Sequence, residues 1–132
     1  MYFLRADGIP AWVTILAVLF GLLSTVVGIS VVLYPGTALA GLGIEYTDGA
    51  AGLALTWAGR NAGLGIVLLV AVYLRNASGY AVAFAGTFLR EASDILHYFS
   101  VNAGMLISVG ISLLLVEIVC FVISFRAARQ QS

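Results

Sequence analysis

Arg60, Arg90, Glu91, Asp94, His97 and Glu117 all fall inside apolar stretches long enough to cross a bilayer. Only 9% of the 132 residues are charged, yet five charged groups and the sole histidine sit where hydrocarbon is expected. A charge at membrane depth costs roughly 2.5–3.5 kcal/mol on insertion scales. Such groups persist when they compensate one another, so the expected arrangement is a polar site inside a helical bundle. Carboxyls held in unlike surroundings can divide the roles of acid and base. Guanidinium and amide groups such as those of Arg60 and Asn61 can orient a carbonyl, hydroxyl or epoxide oxygen and stabilise negative charge developing on it. No serine or cysteine nucleophile pattern and no metal-ligand set accompanies them, so no metal and no cofactor is expected. The chemistry this points to is isomerisation, cyclisation or epoxide opening of a lipophilic small molecule. Glu91 or Asp94 is the candidate base, and a protonated carboxyl, with Glu117 in the set, the acid.

Composition sets the frame around those residues. With 62% hydrophobic residues and a mean hydropathy of +1.10, the chain reads as an all-α polytopic membrane protein of one domain. The formal net charge is zero and no basic run occurs, which argues against nucleic acid as a partner. The single cysteine, Cys120, rules out an internal disulfide and reads as a small apolar filler. One histidine alone argues against a His-rich metal centre.

Hydropathy predicts four spans at about 11–34, 51–74, 79–100 and 103–125, each long enough for a hydrocarbon core of ~30 Å. Backbone hydrogen bonds must close internally in lipid, so these are helices, and the fold expected is a four-transmembrane-helix bundle. Pro10 opens the first span, and Tyr34-Pro35-Gly36 ends it because proline cannot donate to a continuing helix. Arg75-Asn76-Ala77-Ser78-Gly79 and Ser100-Val101-Asn102 make short polar turns between later spans. Trp12, Tyr73 and Tyr80 fall near one interface, Tyr34 and Tyr98 near the other. The loop 35–50 reads either as a plain connector on the headgroups or as a short interfacial helix over the bundle mouth.

Orientation follows from the arginines. Outside the spans, Arg5, Arg75, Arg126 and Arg129 fall on one side when four helices alternate, and Glu45 and Asp48 fall on the other. The positive-inside rule then makes both termini cytoplasmic. The first apolar run is too long for a signal peptide. Asn76-Ala77-Ser78 matches a glycosylation sequon but lies in a tight turn and reads as turn chemistry. Gly59-Arg60-Asn61-Ala62-Gly63 carries a small-residue spacing that in membrane helices marks close packing.

Helical periodicity sorts the polar groups. In the third span Tyr80, Thr87, Glu91, Asp94 and Tyr98 share a stripe flanked by Arg90 and His97, opposite Ala85, Phe88, Leu89, Leu96 and Phe99. That polar stripe must face the bundle interior. Thr56, Trp57, Arg60 and Asn61 share an arc of the second span, and Glu117 lies in the fourth. The first span offers a seam of Thr14, Gly21, Ser24, Thr25 and Gly28 for close helix contact. At 1.5 Å per residue, Arg60, Arg90 and Glu91 lie roughly 13–15 Å below the outer ends, Asp94 roughly 9 Å and Glu117 roughly 20 Å. The simplest pairing sets the two arginines against Glu91 and Asp94 and leaves Glu117 as the odd acid. Trp57, Asn61, Arg90, His97 and Tyr98 are the candidate substrate-binding residues. Plainer roles compete: ion pairs that only fix helix register, His97 as an interface hydrogen-bonder, Trp57 as core or belt.

Several short motifs together resemble the small four-helix DoxX-like membrane proteins, a group of unknown function. They are Tyr34-Pro35, the loop glycines Gly41 and Gly43, Arg60-Asn61-Ala62-Gly63-Leu64-Gly65, and Arg90 followed by Asp94. The resemblance spans about 12–123 and implies a four-helix bundle in a membrane without supplying a reaction. Two other functions compete with the enzyme. One is an oligomeric small transporter or proton-coupled carrier, although a strong charge bias and an uncharged first helix count against close kinship with the small multidrug transporters. The other is a non-catalytic subunit that holds a lipid, a quinone or a partner protein.

Overall fold

The computed structural model describes residues 8–41, 45–100 and 104–131, without the side chains of Tyr98, Ser100 and Gln131. Among the described residues 91% are helical and no strand occurs. The helices are α1 (Ala11–Leu33), α2 (Pro35–Gly41), α3 (Asp48–Tyr73), α4 (Ala77–Ser100) and α5 (Gly104–Gln131). Five helices therefore stand where four were expected. The connector 35–50 contributes the extra one, because Pro35 breaks α1 at Tyr34 yet suits the first position of a new helix. Helix α5 also runs past the expected end at 125 to Gln131.

Among the described residues three helices, α1, α3 and α5, are long and apolar enough to cross a membrane, which marks a membrane protein. Helix α4 is of similar length, but its charges keep it out of that set. The outward surface fits a lipid solvent: Leu53, Val82, Leu96 and Met105 are among many large apolar side chains left exposed.

Local chemistry sets the helix starts. Thr47 caps α3, its hydroxyl accepting from the Ala50 N–H at 3.1 Å. Asn76 does the same for α4 through Gly79 N–H at 3.0 Å. The Asn-Ala-Ser triplet is thus a turn and cap.

Helices α1 and α3 pack along one another, as do α4 and α5, and α3 lies more lightly against α4. The α1–α3 crossing is tight because glycines remove side chains from it. A Cβ on Gly65 would fall 2.6 Å from the Gly21 carbonyl oxygen and 2.5 Å from Thr25 Oγ1. One on Gly28 would fall 2.6 Å from the Ala58 oxygen. Gly59 and Gly63 have nothing within 4 Å of a would-be Cβ, so their spacing does not mark the close contact expected of it. Gly65, two residues further on, faces α1 instead.

The apolar core lies toward the end where α1 begins and α5 finishes. Ile9, Val13 and Ala17 meet Leu68, Phe84, Cys120 and Ala127 there. Cys120 is fully buried in it. Tyr80 joins this core and donates to Thr14 Oγ1 at 3.3 Å. Above it the four long helices part around polar groups.

Candidate functional site

The polar stripe of α4 turns inward. Tyr80, Thr87 and Glu91 are buried, while Val82, Leu89, Leu96 and Phe99 are exposed. Phe88, placed on the outer face by periodicity, is half-buried instead. Its ring packs edge to face on Phe121 of α5 with centroids 5.4 Å apart.

Arg90 ties the long helices together. Its Nη1 donates to Ser24 Oγ of α1 at 3.1 Å and to Asn61 Oδ1 of α3 at 3.0 Å. Its Nη2 pairs with Glu91 beside it and lies 3.6 Å from Glu117 Oε1 of α5. Asn61 is oriented in turn, its Nδ2 donating to the Trp57 carbonyl at 2.9 Å. The two arginines pair with Glu91 and Asp94 as expected, and Glu117, expected as the odd acid, lies at the longer distance from the guanidinium that Glu91 holds.

Arg60 Nη2 lies 2.6 Å from Asp94 Oδ1, and Arg60 Nη1 donates to Ser93 Oγ at 3.2 Å. The Arg60 side chain is 38% exposed against 16% for Asp94, so this pair forms the rim and Arg90 the floor.

Between floor and rim lies a cavity of about 170 Å³. Ser24, Asn61, Arg90, Glu91, Asp94 and Glu117 supply its polar side, and Phe20, Leu23, Val27, Trp57 and Leu113 its apolar walls. All four long helices contribute. By residue count the floor lies about 14–20 Å from the helix ends nearest Asp48, which is mid-depth for a bilayer.

Two buried polar atoms of these side chains have no hydrogen-bond partner among the described residues: Arg90 Nε and Glu117 Oε2. The Thr87 hydroxyl sits beside Glu117, but its proton goes to the Phe84 carbonyl at 3.1 Å. Such orphans are uncommon in folded proteins and each asks for an explanation.

Of the residues expected at the site, Trp57, Asn61, Arg90, Glu91, Asp94 and Glu117 line the cavity. Arg60 reaches it only through Asp94. His97 is exposed and does not line it, since it projects from the flank of the stripe about two turns from Arg90. The Tyr98 side chain lies outside the described residues. Ser24 and Ser93, both on arginines here, were not expected in that role. Ser24 could have been found from its stripe on α1 with Phe20, Leu23 and Val27, three and four residues apart.

No family model, curated protein or solved structure matches this chain.

Proposed function

We propose that this protein is a membrane-embedded acid–base enzyme acting on a lipophilic small molecule that carries one reactive oxygen. The observation that carries the reading is the pair Glu91 and Glu117 on one buried guanidinium, at the floor of a cavity whose walls are apolar. For a β,γ-unsaturated ketone, one carboxylate removes a proton from the carbon beside the carbonyl. Charge collects on the oxygen facing Arg90, and a proton returns to the far carbon. For an epoxide, a protonated carboxyl donates to the ring oxygen as the C–O bond breaks, while the other carboxylate deprotonates the attacking water. Neither route needs an electron donor or acceptor. Asn61 and Ser24 hold the guanidinium in place.

The same proposal makes α4 a fourth span, with both termini cytoplasmic. Support comes from its 24 residues, about 36 Å of helix, and from the apolar face it presents outward. Arg75, Arg126 and Arg129 lie toward the end where Gly8 approaches Ala127, and Glu45 and Asp48 toward the other. The DoxX-like resemblance supports this architecture and adds no reaction.

The test uses protein reconstituted in phospholipid nanodiscs, offered a terpenoid epoxide and a β,γ-unsaturated terpenoid ketone, with products read by mass spectrometry. Wild type should convert one of them. Glu91→Gln and Glu117→Gln should each lose about 10²-fold or more in rate while keeping the melting temperature within a few degrees. Conversion of neither probe, or equal rates in the variants, would falsify the proposal.

A further inference from the structure

Three of the seams between the long helices are held by contacts already described. Gly21 and Gly28 press α1 onto α3. The Arg60–Asp94 pair and the Arg90–Asn61 hydrogen bond bridge α3 and α4. Phe88 of α4 packs on Phe121 of α5. The remaining seam, α1 beside α5, is different. The two approach closely at its lower end, where a Cβ on Gly8 would fall 3.1 Å from the Ala127 Cβ. They do not pack along one another as the other neighbours do.

Residue positions set the chamber against the open part of that seam. Leu23 follows Gly8 and Leu113 precedes Ala127 by nearly equal lengths of chain, so both stand roughly 20 Å above that contact. Both line the cavity. With Phe20 and Val27, Leu23 lies roughly a third of the way around α1 from Gly21 and Gly28. Leu113 lies within about 40° of Cys120 and Ala127, on the side of α5 that serves the core shared with α1. Leu23 is also 63% exposed, so one side chain belongs to the chamber wall and to the outer surface. No charged residue occurs in α1 or in 104–116 of α5, so the seam offers a hydrocarbon chain no charge to displace.

Volume says how much of a guest stays inside. An engineered apolar cavity of about 150 Å³ takes a molecule of benzene size, so one of about 170 Å³ holds a head of roughly six carbons. A longer skeleton has to project. We infer that the chamber takes its substrate sideways from the bilayer, between Leu23 of α1 and Leu113 of α5, and that this substrate is a long-chain molecule with its reactive oxygen near one end. The head lies in the chamber and the tail among the acyl chains. This rests on the proposed function for the head, an epoxide or ketone oxygen, and adds where the rest of the molecule goes. Leu23 and Leu113 then select skeletons by where along them the oxygen is carried.

Photolabelling tests this with full-length protein in phosphatidylcholine nanodiscs. The probes are 1,2-epoxyhexadecane and 2-hexadecanone, each bearing a mid-chain diazirine, with labelled peptides located by mass spectrometry. Label should fall on the segments around Leu23 and Leu113, and the parent epoxide or ketone should displace it. The isomers 8,9-epoxyhexadecane and 8-hexadecanone, alike in formula and apolar surface, should displace at least about tenfold less. Leu113→Trp should lower labelling by about tenfold or more, a change read against Leu22→Trp, which is exposed, does not line the cavity and should label as wild type does. The isomer contrast needs no variant, so it stands whether or not Leu113→Trp folds. Label spread over lipid-facing positions of α3 and α4 such as Leu53, Val82 and Leu96 overturns the inference. So does equal displacement by the isomers in both series, or undiminished labelling of a folded Leu113→Trp. End-selective labelling in a protein that converts neither terpenoid probe upholds the lateral site and removes only the catalytic reading. Conversion without end selectivity removes the lateral site and leaves the catalytic reading standing.

Discussion

Arg60 of α3 and Asp94 of α4 meet at 2.6 Å on the rim of the chamber, and the same carboxylate that holds the guanidinium also lines the cavity. Helices α3 and α4 touch less than the two pairs that flank them, and this ion pair joins them together with the Arg90–Asn61 hydrogen bond.

Removing one partner leaves the other charged at membrane depth, where a charge costs roughly 2.5–3.5 kcal/mol. Asp94→Asn and Arg60→Gln should each lower thermal stability in nanodiscs, by about 1–3 kcal/mol. The double variant should lose less than the sum, with a coupling of about 0.5–3 kcal/mol. Strict additivity in the melting series would show that the pair does not bridge the helices.

Two glycines of α3 should respond in opposite ways. At Gly65 a methyl group would fall 2.6 Å from the Gly21 carbonyl oxygen, and backbone cannot give way as a side chain tip can. Gly65→Ala should destabilise by about 1–3 kcal/mol through overpacking. At Gly63 nothing lies within 4 Å, so Gly63→Ala should be neutral or gain up to about 1 kcal/mol of helix propensity. Denaturation curves of the two variants beside wild type decide it; a stable Gly65→Ala would mean that α1 and α3 cross more loosely.

The proposed topology can be read with thiol chemistry, because the native Cys120 is buried and leaves a low background. Tyr46→Cys, at an exposed position before α3, should react with a membrane-impermeant maleimide in intact cells. Gln130→Cys, at the end of α5, should react only in inside-out vesicles. Labelling of both from the same side would mean that one long helix fails to cross.

Much of the site was legible because lipid leaves charged groups few places to go. Asp94 falls three residues after Glu91 and four after Arg90, so any helix through them must gather them on one side, and that side had to be the interior. The charge balance also supplied the pairing of the two arginines with Glu91 and Asp94, and what periodicity could not supply was that Glu117 approaches Arg90 as well. Arg60 and Arg90 share a similar depth, and whether a guanidinium takes Asp94 or Glu117 depends on how far α3 is rotated against α4. Rotation is set by contacts such as Gly65 on Gly21, which a sequence does not state. The small-residue spacing at Gly59 and Gly63 misled for the same reason: it identifies a smooth face without saying whether a neighbour occupies it. His97 shows the limit of a stripe, since one step of 100° separates a chamber wall from the surface. The short helix at Pro35–Gly41 was one of two readings of that connector, and proline allows both a stop and a start.

Below the floor, Ile9, Val13, Ala17, Leu68 and Phe84 fill the space between the long helices. That plug gives the chamber a bottom. A solute passing from the cavity to the far face would have to part these packed side chains. On the proposed reading, this makes the cavity a cul-de-sac in which a substrate is altered, not a passage.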